Sequence, residues 1–183
     1  MAESNPFIRP DTFWHTLMLR ANQSVVHLGC GAGFYIIPAA RIVGKKGKAI
    51  GVDIRPDMLA EVDNKAQQFG LDTIVKTFRA NIENTPGSPI GEHSMDWVLV
   101  YNILHQSDPN KVFQEARRIV SMNGHIVVSG WATVATPLGP PHEKRRSEEE
   151  VKQIAKQNGF SLVKEFAPSP YHYGLILSPK EAV

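Results

Sequence analysis

Cysteine is almost absent. Cys30 is the only one in 183 residues, which excludes an intramolecular disulfide framework and a cysteine zinc cluster. No grouping of His with carboxylates has metal-ligand spacing either, so no metal site is expected. Charge of one sign is equally scarce: a formal net charge of +2 is too small for a nucleic-acid surface and argues against a nucleic-acid partner. No apolar stretch reaches the roughly 18 residues of a membrane span. The first residues, MAESNPFIRPDTFWHTLML, lack a basic region followed by an apolar core and a small-residue cleavage site. A cytoplasmic protein without a membrane span is therefore the expectation. Internal repeats and low-complexity runs are missing, and the length fits one domain with a continuous core, spanning 1–183.

What the chain does have is alternation. Short apolar or β-branched runs at SVVHLG, GKAIGVDI, TIVKTFRA, MDWVLVYN, GHIVVSGW, FSLVKEFA and YHYGLILSP are bounded by Gly, Pro or Asn and predict seven strands. The first, second, fourth and fifth are too continuously apolar for a half-exposed sheet, so they are expected in its centre. Helical segments lie between them. IIPAARIVG carries Pro38 in its first turn and stops at Gly44, and RPDMLAEVDNKAQQFG stops at Gly70. DPNKVFQEARRIVSMNG starts with Asp108 as its N-cap; SEEEVKQIAKQNGF starts with Ser147 and Glu150 at capping-box spacing. This order predicts an α/β fold with a doubly wound, mostly parallel seven-stranded sheet. Only PSP separates the last two strands, which predicts an antiparallel C-terminal hairpin.

In such a sheet a ligand sits beyond the carboxyl ends of the strands. The segment GCGAG lies there, after the first strand and before the first helix. Gly29, Gly31 and Gly33 let backbone approach a ligand closely, and the helix start behind them offers unpaired N–H groups. The dinucleotide fingerprint would need a third glycine at position 34, which holds Phe34. Twenty residues after Gly33 the second strand ends at Asp53, placed to accept hydrogen bonds from the hydroxyls of a ribose.

Together these residues resemble class I S-adenosylmethionine-dependent methyltransferases. VVHLGCGAGF is similar to the family's first motif, IGVDIRPDML to its ribose-binding second, FRANIENTP to its adenine-binding third, and MDWVLVYNILHQ to its fourth strand and substrate-facing loop. RRIVSMNGHIVVSGW resembles its helix, turn and fifth strand. GPPHEKRRSEEEV and PYHYGLILSP look closest to small methyltransferases of the quinone-biosynthesis branch. The resemblance implies a Rossmann-like methyltransferase fold, S-adenosylmethionine as cofactor, and methyl transfer to a small-molecule acceptor by in-line displacement, in a monomer or homodimer.

It also implies roles. Gly29, Gly31 and Gly33 would cradle the methionine and ribose of the cofactor, Asp53 would hold the ribose hydroxyls, and Ile54 and Met58 would pack on the adenine. Asn81 and Ile82 would flank the adenine edge. Tyr101 and Asn102 would line the methyl-donor end, and His105 would face the acceptor as the candidate general base. The core consumes most of the chain, leaving residues 1–20 as an N-terminal lid or helix and 131–147 as the substrate-side loop, with Trp131 and the cation of Arg145. His172 and Tyr173 are further candidates on that side, as is His142. Arsenic methylation is disfavoured, because that branch relies on several cysteines.

Two positions depart from the family pattern. His27 stands where an acid usually helps hold the cofactor's ammonium group, and a neutral imidazole supplies no opposite charge there. Asn81 stands where an Asp commonly accepts from the adenine amine, and its carbonyl oxygen could do the same. A second reading is therefore open: a methyltransferase-fold binding or partner protein with little or no catalysis.

Overall fold

The computed structural model describes residues 9–136 and 138–180. Residues 1–8 of the expected lid and Pro137 of the substrate-side loop lie outside them. All seven strands form: β1 (Ser24–Leu28), β2 (Lys48–Asp53), β3 (Val75–Arg79), β4 (Met95–Tyr101), β5 (Val120–Trp131), β6 (Phe160–Ser169) and β7 (His172–Pro179). Their order is β3-β2-β1-β4-β5-β7-β6. The first five run parallel, and β7 is antiparallel to both β5 and β6. The expected hairpin thus closes one edge, with its second strand inserted next to β5.

Period-two alternation divides the sheet's side chains between two layers. Val26, Leu28, Val98, Val100, Ile126 and Val128 face one core with α4 (Pro109–Ile119) and α5 (Glu148–Gln157). Val25, Ala49, Leu99 and Val127 face the other, with α2 (Ile36–Val43) and α3 (Pro56–Gln68). Both helices predicted to be capped are capped by those residues: Asp108 accepts from the Asn110 N–H and Ser147 from the Glu150 N–H.

Two expectations change. The helix predicted across 108–124 ends at Ile119, because Val120 already pairs with Met95 as the first residue of a twelve-residue β5. The N-terminal segment is part of the core where it is described. Helix α1 (Pro10–Thr16) buries Phe13 and Trp14, and the Trp14 indole donates to the Tyr35 carbonyl at 2.7 Å. Among the described residues no helix is long and apolar enough to cross a membrane.

Candidate cofactor cleft

The carboxyl ends of β1, β2, β3 and β4 open on a cleft of about 450 Å³, within the size range of small-ligand sites. The turn after β1 forms one wall. Gly29 and Cys30 donate their N–H groups to the Val52 carbonyl at 2.8 and 3.0 Å, which fastens the turn to β2. Gly31, at φ +50°, donates to Asp53 Oδ2 at 2.8 Å, and no heavy atom lies within 4 Å of where its Cβ would be. Its bare backbone therefore faces open space, as a cradle for a ligand requires. Gly33 serves packing instead. A Cβ there would lie 3.0 Å from Val62 Cγ2, so a side chain would push α2 away from α3.

Asp53 is held from both sides, Oδ2 by Gly31 N–H and Oδ1 by Arg55 N–H at 3.0 Å. Ionised, the carboxylate has about four acceptor positions; two are taken by the chain and the others remain for a ligand. Beside it, Ile54 is 56% exposed and lines the cleft with Met58 and Ile82. This is an apolar slot beside a carboxylate, suited to a flat base attached to a sugar. The donor set thus fits a nucleoside cofactor.

The cleft takes in seven of the ten residues expected to bind the cofactor: Gly29, Gly31, Asp53, Ile54, Met58, Asn81 and Ile82, together with Asn102. His27, Gly33 and Tyr101 are not among its lining. His27 is 3% exposed, and neither ring nitrogen has a hydrogen-bond partner. The Tyr35 ring lies edge-on at 5.9 Å, and Tyr35 in turn packs on Tyr101 at 4.3 Å. Burial lowers the His27 pKa to about 3, so the imidazole is neutral and enclosed. Leaving polar groups buried without partners costs about 1–3 kcal/mol. His27→Leu is therefore expected to raise stability by about that amount, read by chemical denaturation.

His172 has the same pH signature. Burial first, then the Arg145 charge, lowers its pKa to about 4. Both histidines bind protons more readily unfolded than folded, so stability is complete above pH 6.5 and falls as pH drops toward 4. The expected slope is up to about 1.4 kcal/mol per pH unit for each, and His27→Leu should remove its share.

On the substrate side the structure reassigns several residues. Asn102, at φ +51°, directs its amide nitrogen to His172 Nε2 at 3.1 Å, and His172 Nδ1 meets Ser169 Oγ at 2.9 Å. The Asn102 oxygen is buried without a partner. Trp131 packs on His172 with ring centres 4.2 Å apart, and Arg145 lies over Trp131 at 5.6 Å. The Arg145 guanidinium donates to the carbonyls of Ala132, Val134, Leu138 and Pro140. It therefore staples the loop, and the expectation of a cation offered to an acceptor is corrected. Tyr173 is corrected too: it points into the core beneath α4 and α5, since neighbouring strand residues face opposite ways. His105 is half-buried, and burial and then the charge of Lys144 lower its pKa; it lies outside the lining of the cleft. His142 is exposed and contacts the Thr133 carbonyl.

Sequence reasoning passed over Arg55, Glu83, Ile103, Gln106 and Ser107, which also line the cleft. The available signal was their position in loops that follow β2, β3 and β4 at the carboxyl edge. Glu83 follows Asn81 by two residues, and its N–H donates to Asn81 Oδ1 at 2.9 Å. The carbonyl oxygen expected to take the adenine amine is thus already engaged by the chain.

A family model described as a methyltransferase domain matches residues 19–167. Among curated proteins, the arsenite methyltransferase of Halobacterium salinarum is 31% identical over 113 residues, 58% of this chain and 27% of that protein. The demethylmenaquinone methyltransferase of Oceanobacillus iheyensis is 28% identical over 120 residues, 65% of this chain and 48% of that one. The chain thus spans less than half the length of these two relatives. A solved SAM-dependent methyltransferase from Aquifex aeolicus superimposes with a TM-score of 0.85 at 24% identity, covering 93% of this chain and 89% of that one, which is a likeness of fold.

Proposed function

The chain belongs to the class I S-adenosylmethionine-dependent methyltransferase family, and from that premise we propose that it transfers a methyl group from S-adenosylmethionine to a small-molecule acceptor by in-line displacement. The observation that carries this reading is the pairing of Gly31, whose backbone is bare toward the cleft, with Asp53, whose carboxylate keeps acceptor positions free. Gly29, Gly31 and Asp53 would hold the ribose and methionine arm, and Ile54, Met58 and Ile82 the base.

The cofactor, when bound, supplies an electrophilic sulfonium methyl. The protein's contribution is to position the acceptor and exclude water. Asn102 lines the cleft and its amide nitrogen meets His172, whose ring packs on those of Tyr101 and Trp131; an aromatic row beside the cleft suits a flat, ring-bearing acceptor. The name of the Oceanobacillus iheyensis relative supports such an acceptor. An arsenic acceptor suits this chain poorly, because burial pushes the pKa of its single thiol, Cys30, up to about 12, away from the thiolate form. A general base is needed only if the acceptor must lose a proton; of the candidates, His105 stands nearest in sequence to the lining residues Ile103 and Gln106. We read the chain as one domain, 1–183, cytoplasmic, acting as a monomer or homodimer, with 131–147 as its specificity loop.

Calorimetric titration with S-adenosylmethionine, S-adenosylhomocysteine and NAD tests the proposal. Micromolar binding of the first two without NAD is the expected result; NAD binding alone would overturn it. His27→Leu is expected to bind S-adenosylhomocysteine within about threefold of wild type, since His27 is buried and does not line the cleft.

A further inference from the structure

The cleft contains one carboxylate that the resemblance to the family did not assign. Glu83 lines it beside Asn81, Ile82 and Ser107. Glu83 Oε1 accepts the Asp108 N–H at the start of α4, which anchors the carboxylate to that helix. The second oxygen has no such anchor. Asn81 also lines the cleft, and its Oδ1 accepts the Glu83 N–H in an Asx turn, so the amide hydrogens are the donors its side chain has left. An acceptor is therefore available at Glu83 and a donor at Asn81. Asn81 also holds the backbone that carries Glu83.

Resting on the cofactor assignment above, we propose that Glu83 reads the exocyclic amino group of the base, with Asn81 as its positioning residue. A free carboxylate oxygen accepts a hydrogen bond from an amine and repels the carbonyl oxygen of a deaminated base. Selectivity for adenine over hypoxanthine would then lie two residues beyond the position where the family's acid stands.

The test compares S-adenosylhomocysteine with S-inosylhomocysteine, its deaminated analogue, by calorimetry. Wild type is expected to favour the adenine form by roughly tenfold to a hundredfold, the worth of one charge-assisted hydrogen bond. Glu83→Gln keeps the acceptor for the Asp108 N–H and turns an amide donor toward the base, so the preference should fall below about threefold or invert. Asn81→Asp retains the Asx turn and should retain the wild-type preference. Asn81→Ala should weaken the preference by freeing Glu83. An unchanged preference in Glu83→Gln overturns the proposal, most directly if Asn81→Ala abolishes it. Binding of neither nucleoside by wild type overturns the cofactor assignment and this inference with it. Binding of both with equal affinity overturns this inference alone.

Discussion

Asp53→Ala is expected to abolish S-adenosylhomocysteine binding in a calorimetric titration while leaving the cooperative thermal transition in place. The carboxylate stands at the carboxyl end of β2, where the chain already uses one acceptor position on each oxygen for Gly31 and Arg55. The remaining positions are those a ribose diol would occupy. Two charge-assisted hydrogen bonds at about 1.5–3 kcal/mol each amount to about 3–6 kcal/mol, or roughly a hundredfold to ten-thousandfold in affinity. A micromolar site would then be too weak to titrate. Asp53→Asn keeps an acceptor without the charge and should lose roughly tenfold to a hundredfold. Gly31→Val reaches the same end by another route: it places a branched side chain in the open cradle at a φ that such residues avoid. Binding by Asp53→Ala within threefold of wild type would mean that the ligand's hydroxyls are held elsewhere.

The largest stability loss is expected at Glu115, which takes no part in lining the cleft. This residue of α4 is fully buried, and its carboxylate accepts from Arg118 at 2.7 Å, from Ser88 Oγ at 2.7 Å and from the Gly87 N–H at 2.9 Å. Arg118 also donates to the carbonyls of Ile90 and Ser88. One ion pair thus fastens the connection between β3 and β4 to the helix behind it. Removing one partner of a buried pair strands the other and costs about 3–5 kcal/mol. For a domain of this size that lowers the melting temperature by roughly 6–20 °C.

The pH dependence follows from the same contacts. Burial pushes the Glu115 carboxyl up, but the hydrogen bonds from Arg118, Gly87 and Ser88 outweigh it and hold the pKa below its ordinary 4.5. Its contribution is complete above that pH and is lost as pH falls through the lowered value. Glu115→Gln should therefore separate from wild type at pH 7 in a melting experiment and converge with it in acid. A constant difference down to pH 3 would show that packing, not charge, carries the effect.

The sequence by itself determined the architecture, because the signals involved are local. Continuous apolar runs must be covered on both faces, and alternating them with capped helices yields a parallel sheet. GCGAG and Asp53 follow from the same logic, since a glycine turn after β1 and an acid ending β2 come to the same edge when the two strands are parallel neighbours. Tertiary structure alone decided what faces what. Tyr173 and His172 alternate on their strand, but only the packing of α4 and α5 shows which of the two enters the core. His27 occupies a motif position, yet it is buried with the Tyr35 ring edge-on against it. Arg145 reads as a free cation until the four carbonyls around it are seen, and Glu83 reads as a loop acid until Asp108 and Asn81 orient it. Each of these depends on a hydrogen bond or ring contact between segments brought together by folding, and no local pattern records such a partner.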